Sequence, residues 1–453
     1  MASPTFGHLG PDGLGLFTDL YEIRMMEGYL AADHAPTATF SLFFRDLPPD
    51  RGYVVAAGLE QVVDYLETLT FGDRALAYLE SIDVDEALLE YLADVSFSGE
   101  VRAVPEGTVV FPDEPLLEVT APIVEAQLFE TLVINQVAFQ SLIATKAARM
   151  RDVIDREGDD QSLVDFGSRR AHGTDAGLKA ARGAYVGGFD GTSNVAAGEA
   201  FDLPVFGTMA HSWVQSFETE REAFEAFVSV FGEDAVLLVD TYDTVAGTET
   251  AMAVAAEMGV DIAGVRLDSG DLAALSREVE PLVGDAGIFV SSGMDEYAIR
   301  SFFEDGGVAT GFGPGTALVT SADAPKLEGV YKLVAVGEDR APTMKLSTGK
   351  VTYPGQKSVR RTTEDGAFAG DVLAERGEDG PGEELLETVI EGGDRVADLP
   401  SLDAIRERRA EQVRRLPADV RAIRDPAPYP VRVSEGLETT TQSLRADLQA
   451  RCG

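Results

Sequence analysis

Short apolar runs that end in small or polar residues recur through the middle of the chain, and a helical pattern follows each of them. They occupy 162–167, 203–210, 235–243, 262–270, 288–293 and 308–315. Runs of this kind, separated by helices, are typical of βα units around a buried parallel sheet. The six units predict an α/β fold and favour an irregular (β/α) barrel over an open sheet. In such barrels the chemistry lies at the carboxyl ends of the strands, where these runs carry their unusual residues.

The pattern differs on either side of these units. Before them, apolar residues at helical spacing predict one helix over 16–31 and a long helix over 124–155. After them, alternating apolar residues predict hairpin strands, and two helices are expected near 401–424 and 433–450. The change of pattern separates the central units from both ends of the chain.

The 453-residue chain is strongly acidic, with 37 Lys and Arg against 78 Asp and Glu and a net charge of −41. Such a charge disfavours nucleic acids and anionic membranes as partners. Because the acids are dispersed along the chain, we interpret them as an adaptation to a salt-rich, halophilic cytoplasm.

No apolar run reaches the roughly eighteen residues of a membrane helix, and residues 1–15 lack the pattern of a secretory signal. We therefore expect a cytoplasmic protein. The only cysteine, Cys452, excludes disulfides within the chain.

The densest group of candidate site residues follows the first apolar run, at 166–198. Arg169 and Arg170 come directly after a strand end, and Gly191-Thr192-Ser193 opens a helix. Guanidinium groups and helix N-termini both bind phosphate oxygens, so this stretch is a candidate phosphate site. A structural interpretation stays open, in which the arginines pair with surface acids and Ser193 caps the helix.

A histidine and four aspartates stand at later strand ends. His211 lies where a strand gives way to a helix, and it could act as an acid, a base or a nucleophile toward phosphorus. The aspartates are Asp240, Asp243, Asp268 and Asp271. Carboxylates this close together can hold Mg²⁺ or bind ribose hydroxyls. Alternatively, each aspartate could cap a helix, Asp271 most easily, and a lone histidine could be structural.

Two glycine turns complete the candidate site, at Ser291-Ser292-Gly293 and at 311–316. Each opens toward a helix, which is how barrels bind a terminal phosphate after their last strands. The second turn has the spacing of neither a Walker A loop nor a dinucleotide-binding fingerprint. The alternative is that these glycines only turn the chain.

Taken together, these motifs resemble the nicotinate phosphoribosyltransferase family. The resemblance runs almost from end to end, through LFTDLYEIRMMEGYL (16–30), FGSRRAHG (166–173), GGFDGTSNVAAG (187–198), GTMAHSW (207–213), VRLDSGDL (265–272) and FGPGTALVTS (312–321). It implies an α/β sandwich built from 1–135 and 341–453, a barrel at 136–340, and a homodimer with shared active sites. It also implies nicotinic acid, phosphoribosyl pyrophosphate and ATP as substrates, with Mg²⁺ as cofactor, in NAD salvage.

The resemblance assigns roles around the pyridine ring. Phe166 would stack on one face of the ring and Tyr21 of the partner subunit on the other. Arg266 would engage the nicotinate carboxylate. A related nicotinamide-using family has aspartate in the Gly-Thr-Asp motif where this chain has Ser193. Because serine can donate a hydrogen bond to a carboxylate and aspartate repels one, Ser193 favours the acid over the amide.

The resemblance also assigns roles around the sugar. Asp268 and Asp271 would hold ribose hydroxyls and Mg²⁺, and ATP would transiently phosphorylate His211 to a phosphohistidine. The 5-phosphate would lie among Ser292, Gly293, Gly313, Gly315 and Thr316. Arginines and Mg²⁺ would stabilise the leaving pyrophosphate. We expect His211, Arg266 and Asp268 to be the catalytic residues.

Three alternative functions remain. Quinolinate phosphoribosyltransferase has the same fold type and product but uses no ATP, so the motif around His211 speaks against it. A nicotinamide phosphoribosyltransferase is disfavoured by Ser193. A catalytically inactive barrel that senses a nucleotide is the third. The chain departs from the family pattern at His172 and Pro314, both beside the candidate site.

Overall fold

A computed structural model describes residues 11–346 and 351–452 of the chain. The chain divides into two compact units. The terminal unit combines Met1–Leu142 with Lys326–Gly453, and the central unit is Ile143–Pro325. Residues 1–10, 347–350 and 453, which the predicted terminal domain includes, lie outside the described part.

The helices and strands follow one another along the chain in three sets. The first set is α1 (Pro11–Leu14), α2 (Leu20–Ala31), β1 (Thr37–Phe44), β2 (Val54–Val55), α3 (Leu59–Thr68), α4 (Asp73–Ser81), α5 (Glu86–Ala93), β3 (Glu100–Ala103), β4 (Val109–Val110), β5 (Leu117–Pro122), α6 (Ile123–Leu128) and α7 (Glu130–Glu157). The second is β6 (Ser162–Asp165), α8 (Thr174–Val186), β7 (Gly191–Thr192), α9 (Val195–Phe201), α10 (His211–Gln215), α11 (Glu220–Phe231), β8 (Val236–Leu238), α12 (Thr244–Met258), β9 (Gly264–Leu267), α13 (Leu272–Val283), β10 (Gly287–Ser291), α14 (Glu296–Glu304), β11 (Gly311–Gly313) and α15 (Thr316–Val319). The third is β12 (Gly329–Val336), β13 (Ala341–Pro342), β14 (Lys357–Glu364), β15 (Ala367–Glu375), β16 (Glu383–Glu384), β17 (Glu387–Glu391), β18 (Asp394–Arg395), α16 (Leu402–Arg415), β19 (Val431–Val433) and α17 (Glu435–Cys452).

The terminal unit is built around a seven-stranded sheet with the order β13-β12-β1-β5-β3-β17-β18. All of its pairs are antiparallel. On β1 and β12 the buried rings of Phe40 and Tyr331 stack at 4.9 Å. This pairing explains why the unit begins again at Lys326, earlier than the predicted boundary at 340/341, since β12 contributes to the sheet of the terminal unit. A smaller sheet has the order β16-β14-β15-β19.

The central unit contains six parallel strands in the order β7-β6-β11-β10-β9-β8. The strands carry fully buried apolar side chains such as Leu237, Val265 and Val290, as expected for a sheet covered by helices. The predicted α/β fold is confirmed. Closure of these strands into a barrel stays a prediction.

One predicted strand is much shorter in the structure than in the sequence pattern. The run 203–210 contributes only an isolated parallel bridge between Thr192 and Val205. Pro204 has no N–H to extend a ladder, although its carbonyl accepts from the Thr192 amide at 3.0 Å. The glycine turn before Ser193 instead forms β7.

The helix predictions hold in outline and differ at their ends. The helix predicted at 16–31 begins at Leu20, with Asp19 as its N-cap. The long helix predicted over 124–155 consists of two helices, α6 and α7. The helix predicted near 401–424 ends at Arg415, because Pro417 follows and disfavours helical backbone before it. Across the described ranges, no helix combines the length and apolar character that crossing a bilayer requires.

Candidate active site

The carboxyl ends of the parallel strands surround a cavity of about 720 Å³. Its lining comes from the segments after β6, β7, β9, β10 and β11 and from the loop before α10. The lining residues are Phe166, Arg169, Arg170, Ser193, Gly207, Thr208, Met209, Ala210, His211, Arg266, Asp268, Ser291, Ser292, Gly293, Met294, Gly313, Gly315, Thr316, Ala317 and Ala322. Of the residues assigned a role from the sequence, all but Tyr21, Asp240, Asp243 and Asp271 therefore line this one cavity.

Asp240 lies beside His211, and the other three exceptions lie elsewhere. Tyr21 is on α2 in the terminal unit and exposes 48% of its surface. Asp271 is the N-cap of α13, and its Oδ1 accepts from the Ala274 amide at 3.0 Å. Asp243 caps α12 in the same way, accepting from the Ala246 amide at 2.9 Å. The helix-cap alternative thus describes both of these aspartates.

A buried aspartate that no sequence motif singles out, Asp165, organises the end of β6. Asp165 accepts from the Gly167 amide at 2.7 Å and from the Thr192 hydroxyl at 2.8 Å, and its carbonyl accepts from the Ser193 amide at 2.8 Å. Burial raises the pKa of its carboxyl group. The residue couples the Phe166 segment to the Ser193 segment. Its one sequence signal is a carboxylate inside an otherwise apolar run.

An aromatic ring and a guanidinium group form one wall of the cavity. The Arg266 guanidinium carbon lies 6.0 Å from the centre of the Phe166 ring. Arg266 donates to the Thr208 hydroxyl, and its Nε is buried without a hydrogen-bond partner. Burial lowers the pKa of this guanidinium group, and nearby Asp268 opposes that shift. A donor that is buried and unused favours binding of a ligand acceptor.

The space for the Phe166 ring depends on a glycine of the neighbouring strand. A Cβ added at Gly313 would lie 2.5 Å from the Phe166 ring, closer than carbon atoms can approach. Any larger residue at this position would displace the ring. Gly313 is therefore required for space.

His211 sits at the start of α10 between a hydroxyl and two carboxylates. Its Nδ1 lies 3.2 Å from the Thr241 hydroxyl. Its Nε2 lies 4.0 Å from Asp240 Oδ1 and 3.8 Å from Asp268 Oδ2. The side chain remains 39% exposed, so the ring is held by its neighbours and is still accessible from the cavity.

The two carboxylates beside His211 are linked to each other. Asp240 Oδ2 accepts from the Asp268 amide at 2.9 Å and from the Ser269 hydroxyl at 2.7 Å. Asp268 Oδ1 accepts from the Ser291 hydroxyl at 2.5 Å. Asp240 Oδ1 is buried and has no hydrogen-bond partner. Within the described ranges, no set of three or more His, Cys, Asp or Glu side chains is arranged as a metal site.

Two loops and an arginine turn supply groups for anions. Ser292 and Gly293 both have positive φ, 75° and 68°, which turns the chain sharply after β10. Arg169 and Arg170 lie in a 3-10 turn and are exposed. Neither has an ion-pair partner among the described residues, so the alternative in which they pair with surface acids gains no support there. Exposed guanidinium groups at a concave site attract phosphate.

Fold and site together define the class of the protein. It is an α/β protein with a cavity at the carboxyl ends of parallel strands, lined by guanidinium groups and glycine loops, and a half-buried aromatic–guanidinium wall lies in the same cavity.

Comparison with known proteins gives a consistent result. The chain matches the nicotinate phosphoribosyltransferase N-terminal domain over residues 16–138, the nicotinate phosphoribosyltransferase family over 161–372 and the C-terminal domain over 378–441. A nicotinate phosphoribosyltransferase of Mycobacterium tuberculosis is 46% identical over 95% of this chain and 94% of its own length. One of Bacillus subtilis is 44% identical over 77% of this chain and 73% of its own. The crystal structure of human nicotinic acid phosphoribosyltransferase matches with a TM-score of 0.83 and 31% identity, covering 94% of this chain and 99% of the human chain. The chain belongs to the nicotinate phosphoribosyltransferase family.

Proposed function

We propose that the protein transfers the phosphoribosyl group of phosphoribosyl pyrophosphate to nicotinic acid in NAD salvage. The products are nicotinate mononucleotide and pyrophosphate, and ATP drives the reaction. Membership of the family supports the activity. The observation that carries it to this site is the Phe166–Arg266 wall, which lies in one cavity with the loop Ser292–Met294.

The wall has the chemistry of a nicotinate site. An aromatic face stacks on the pyridine ring, and a guanidinium group binds the carboxylate. Arg266 suits this role because its Nε has no partner of its own. Ser193 lines the same cavity and offers a hydroxyl donor to the carboxylate. Asp at this position would place a second negative charge there.

The transfer step builds positive charge on the sugar and negative charge on the leaving pyrophosphate. Arg169 and Arg170 stabilise the leaving group, since both line the cavity and can bind phosphate oxygens. The pyridine nitrogen is already nucleophilic and needs no general base. The glycine loops that include Ser292, Gly293 and Thr316 receive the 5-phosphate.

Mg²⁺ fits beside His211, because hard oxygen ligands are present there. Asp268 and the unpartnered Oδ1 of Asp240 would hold it, in each case together with oxygens of the substrate. When bound, the ion neutralises charge on the pyrophosphate. Asp271 is a weaker candidate ligand than Asp240, because its carboxylate caps α13.

His211 is the site at which ATP acts. Phosphoryl transfer from ATP to an imidazole nitrogen breaks the bond between the γ-phosphorus and the bridging oxygen and releases ADP. The accessible ring supports this role, and so do the carboxylates that accept its proton. Hydrolysis of the phosphohistidine couples ATP use to tighter substrate binding.

We propose a homodimer in which Tyr21 of the partner subunit covers the second face of the pyridine ring. The support is an exposed apolar stretch on α2, where Leu20, Tyr21 and Met25 expose 53%, 48% and 36% of their surface. Large apolar groups exposed together are typical of protein interfaces.

The test is product formation with nicotinate, nicotinamide or quinolinate, each with and without ATP, in high salt. We expect nicotinate mononucleotide from nicotinate, at a rate that ATP raises. Product from quinolinate without ATP, or no product from any substrate, would contradict the proposal and favour the decarboxylating enzyme or a nucleotide sensor.

A further inference from the structure

Lys146 is a fully buried lysine that the proposed reaction does not use. It lies on α7, and its side chain has 0% exposure. Its ammonium nitrogen is 2.6 Å from Glu296 Oε2 and 2.7 Å from Asp323 Oδ1. Lysine is almost never fully buried without partners, because desolvation of the charge is costly. The two partners of Lys146 belong to segments that are separate along the chain.

Glu296, the first of these partners, stands in the first turn of α14. Its other oxygen, Oε1, accepts from Arg149 Nε at 2.9 Å, and Arg149 Nη2 donates to the Tyr297 hydroxyl at 3.1 Å. Asp295 caps the same turn by accepting from the Tyr297 and Ala298 amides. The start of α14 is thus fixed both by its own cap and by two cations of α7.

The segments that Lys146 joins both contain a serine in an unfavourable conformation. Ser292 has φ 75° and Ser321 has φ 41°, in the left-handed region that non-glycine residues rarely adopt. Ser292 precedes Glu296, and Ser321 precedes Asp323. Such conformations persist where the surrounding structure holds them. Ser292 and Ala322, the residue after Ser321, both line the cavity.

The ion pairs of Lys146 join equal numbers of positive and negative side chains. Lys146 and Arg149 carry two positive charges, and Glu296 and Asp323 carry two negative charges. Removal of the ammonium group would leave the Glu296 and Asp323 carboxylates with one positive charge fewer, in segments that include Ser292 and Ala322 of the cavity. In a buried environment the charge of these carboxylates would be only weakly screened.

We propose that Lys146 is a positioning residue for the 5-phosphate of the sugar donor. Through Glu296 and Asp323 it holds the loop Ser292–Met294 and the segment Ser321–Ala322 in the conformations that bind the phosphate, and it touches no substrate itself. The inference rests on the proposed function for the identity of the full substrate. The role of Lys146 itself requires only that the cavity binds a sugar phosphate.

The experiment compares wild type with Lys146→Met. We expect the KM for phosphoribosyl pyrophosphate to rise about tenfold to a hundredfold, as displaced binding groups commonly cause. The Kd for ribose 5-phosphate, measured by calorimetry, should rise by a similar factor. The KM for nicotinate should stay within about twofold of the wild-type value, because other residues hold the Phe166–Arg266 wall.

Two further variants test the same role if Lys146→Met folds poorly. Asp323→Asn alters the partially exposed end of the cluster, whose side chain is 30% exposed, and should raise the same Kd to a smaller extent. The double variant Lys146→Met/Asp323→Asn removes both charges of one ion pair and should recover part of the loss. Lys357→Met is the matched control, because Lys357 is equally buried and pairs with Glu118 in the terminal unit.

The inference is overturned if folded Lys146→Met or Asp323→Asn binds ribose 5-phosphate as wild type does. It is also overturned if the KM values for both substrates rise together, or if Lys357→Met has the same effect, since either result would indicate general destabilisation. If wild type makes no nicotinate mononucleotide, the proposed function fails, and ribose 5-phosphate binding still decides the role of Lys146.

Discussion

At the scale of a single residue, we expect the Ser193 side chain to select the acid over the amide. Ser193 lines the cavity with Phe166 and Arg266, and its backbone amide donates a hydrogen bond to the Asp165 carbonyl. We predict that Ser193→Asp lowers kcat/KM for nicotinate about tenfold to a hundredfold, because it places a like charge beside a desolvated carboxylate. Steady-state kinetics would measure this. Ser193→Asn is the neutral control of the same size, and equal kinetics for Asp and Asn would disprove the charge argument.

A second single-residue effect concerns stability and pH. Burial raises the pKa of Asp113 from 3.8 to about 6, although Arg45 opposes the shift. The folded state therefore keeps this proton to a higher pH than the unfolded state does. The contribution of Asp113 to the free energy of unfolding falls as the pH rises from 3.8 toward 6. We predict that the free energy of unfolding, measured with a denaturant, falls less over this pH interval in Asp113→Asn than in wild type.

The control for that measurement is Asp365→Asn. Asp365 also has a positive φ, 49° against 67° at Asp113, but its side chain is exposed. Asparagine suits this backbone region as well as aspartate does. An identical pH profile for Asp113→Asn and wild type would refute the assignment.

At the level of the element, the two aspartates at the start of α13 have different roles: one caps the helix, and the other is a candidate ligand. Asp271 accepts from the Ala274 amide, whereas Asp268 faces His211. We predict that Asp271→Asn keeps most activity and that Asp271→Ala loses about 1 kcal/mol of stability, the usual cost of an absent cap. Asp268→Asn should instead lose activity with little change in stability. A large loss of kcat in Asp271→Asn would restore Asp271 as a ligand of ribose or metal.

At the level of the whole molecule, charge governs the response to salt. At a net charge of −41 the acidic side chains of the folded protein repel one another, and salt screens that repulsion. We predict that the free energy of unfolding rises as KCl increases from about 0.1 M to about 2 M. Sucrose of equal osmolality is the control, because it carries no charge. Equal stabilisation by both solutes would argue against the halophilic interpretation.

The candidate site was predictable because its residues follow strand ends. Parallel strands in one sheet end at the same edge, so Phe166, Ser193, Arg266 and Ser292 converge whatever the details of helix packing. The sequence pattern alone could not separate the aspartates, because a carboxylate after a strand serves equally well as a cap or as a ligand. Hydrogen bonds place Asp243 and Asp271 at helix starts and leave Asp240 Oδ1 without a partner.

By itself, the sequence determined the α/β fold, the family and most of the residues that line the candidate site, because these depend on local pattern and on the order of strands along the chain. Only the tertiary structure decided which residues support that site. Lys146, Asp165 and Asp240 acquire their surroundings from segments distant in sequence. Burial and hydrogen-bond partners of this kind arise from packing, and no local pattern of residues encodes them.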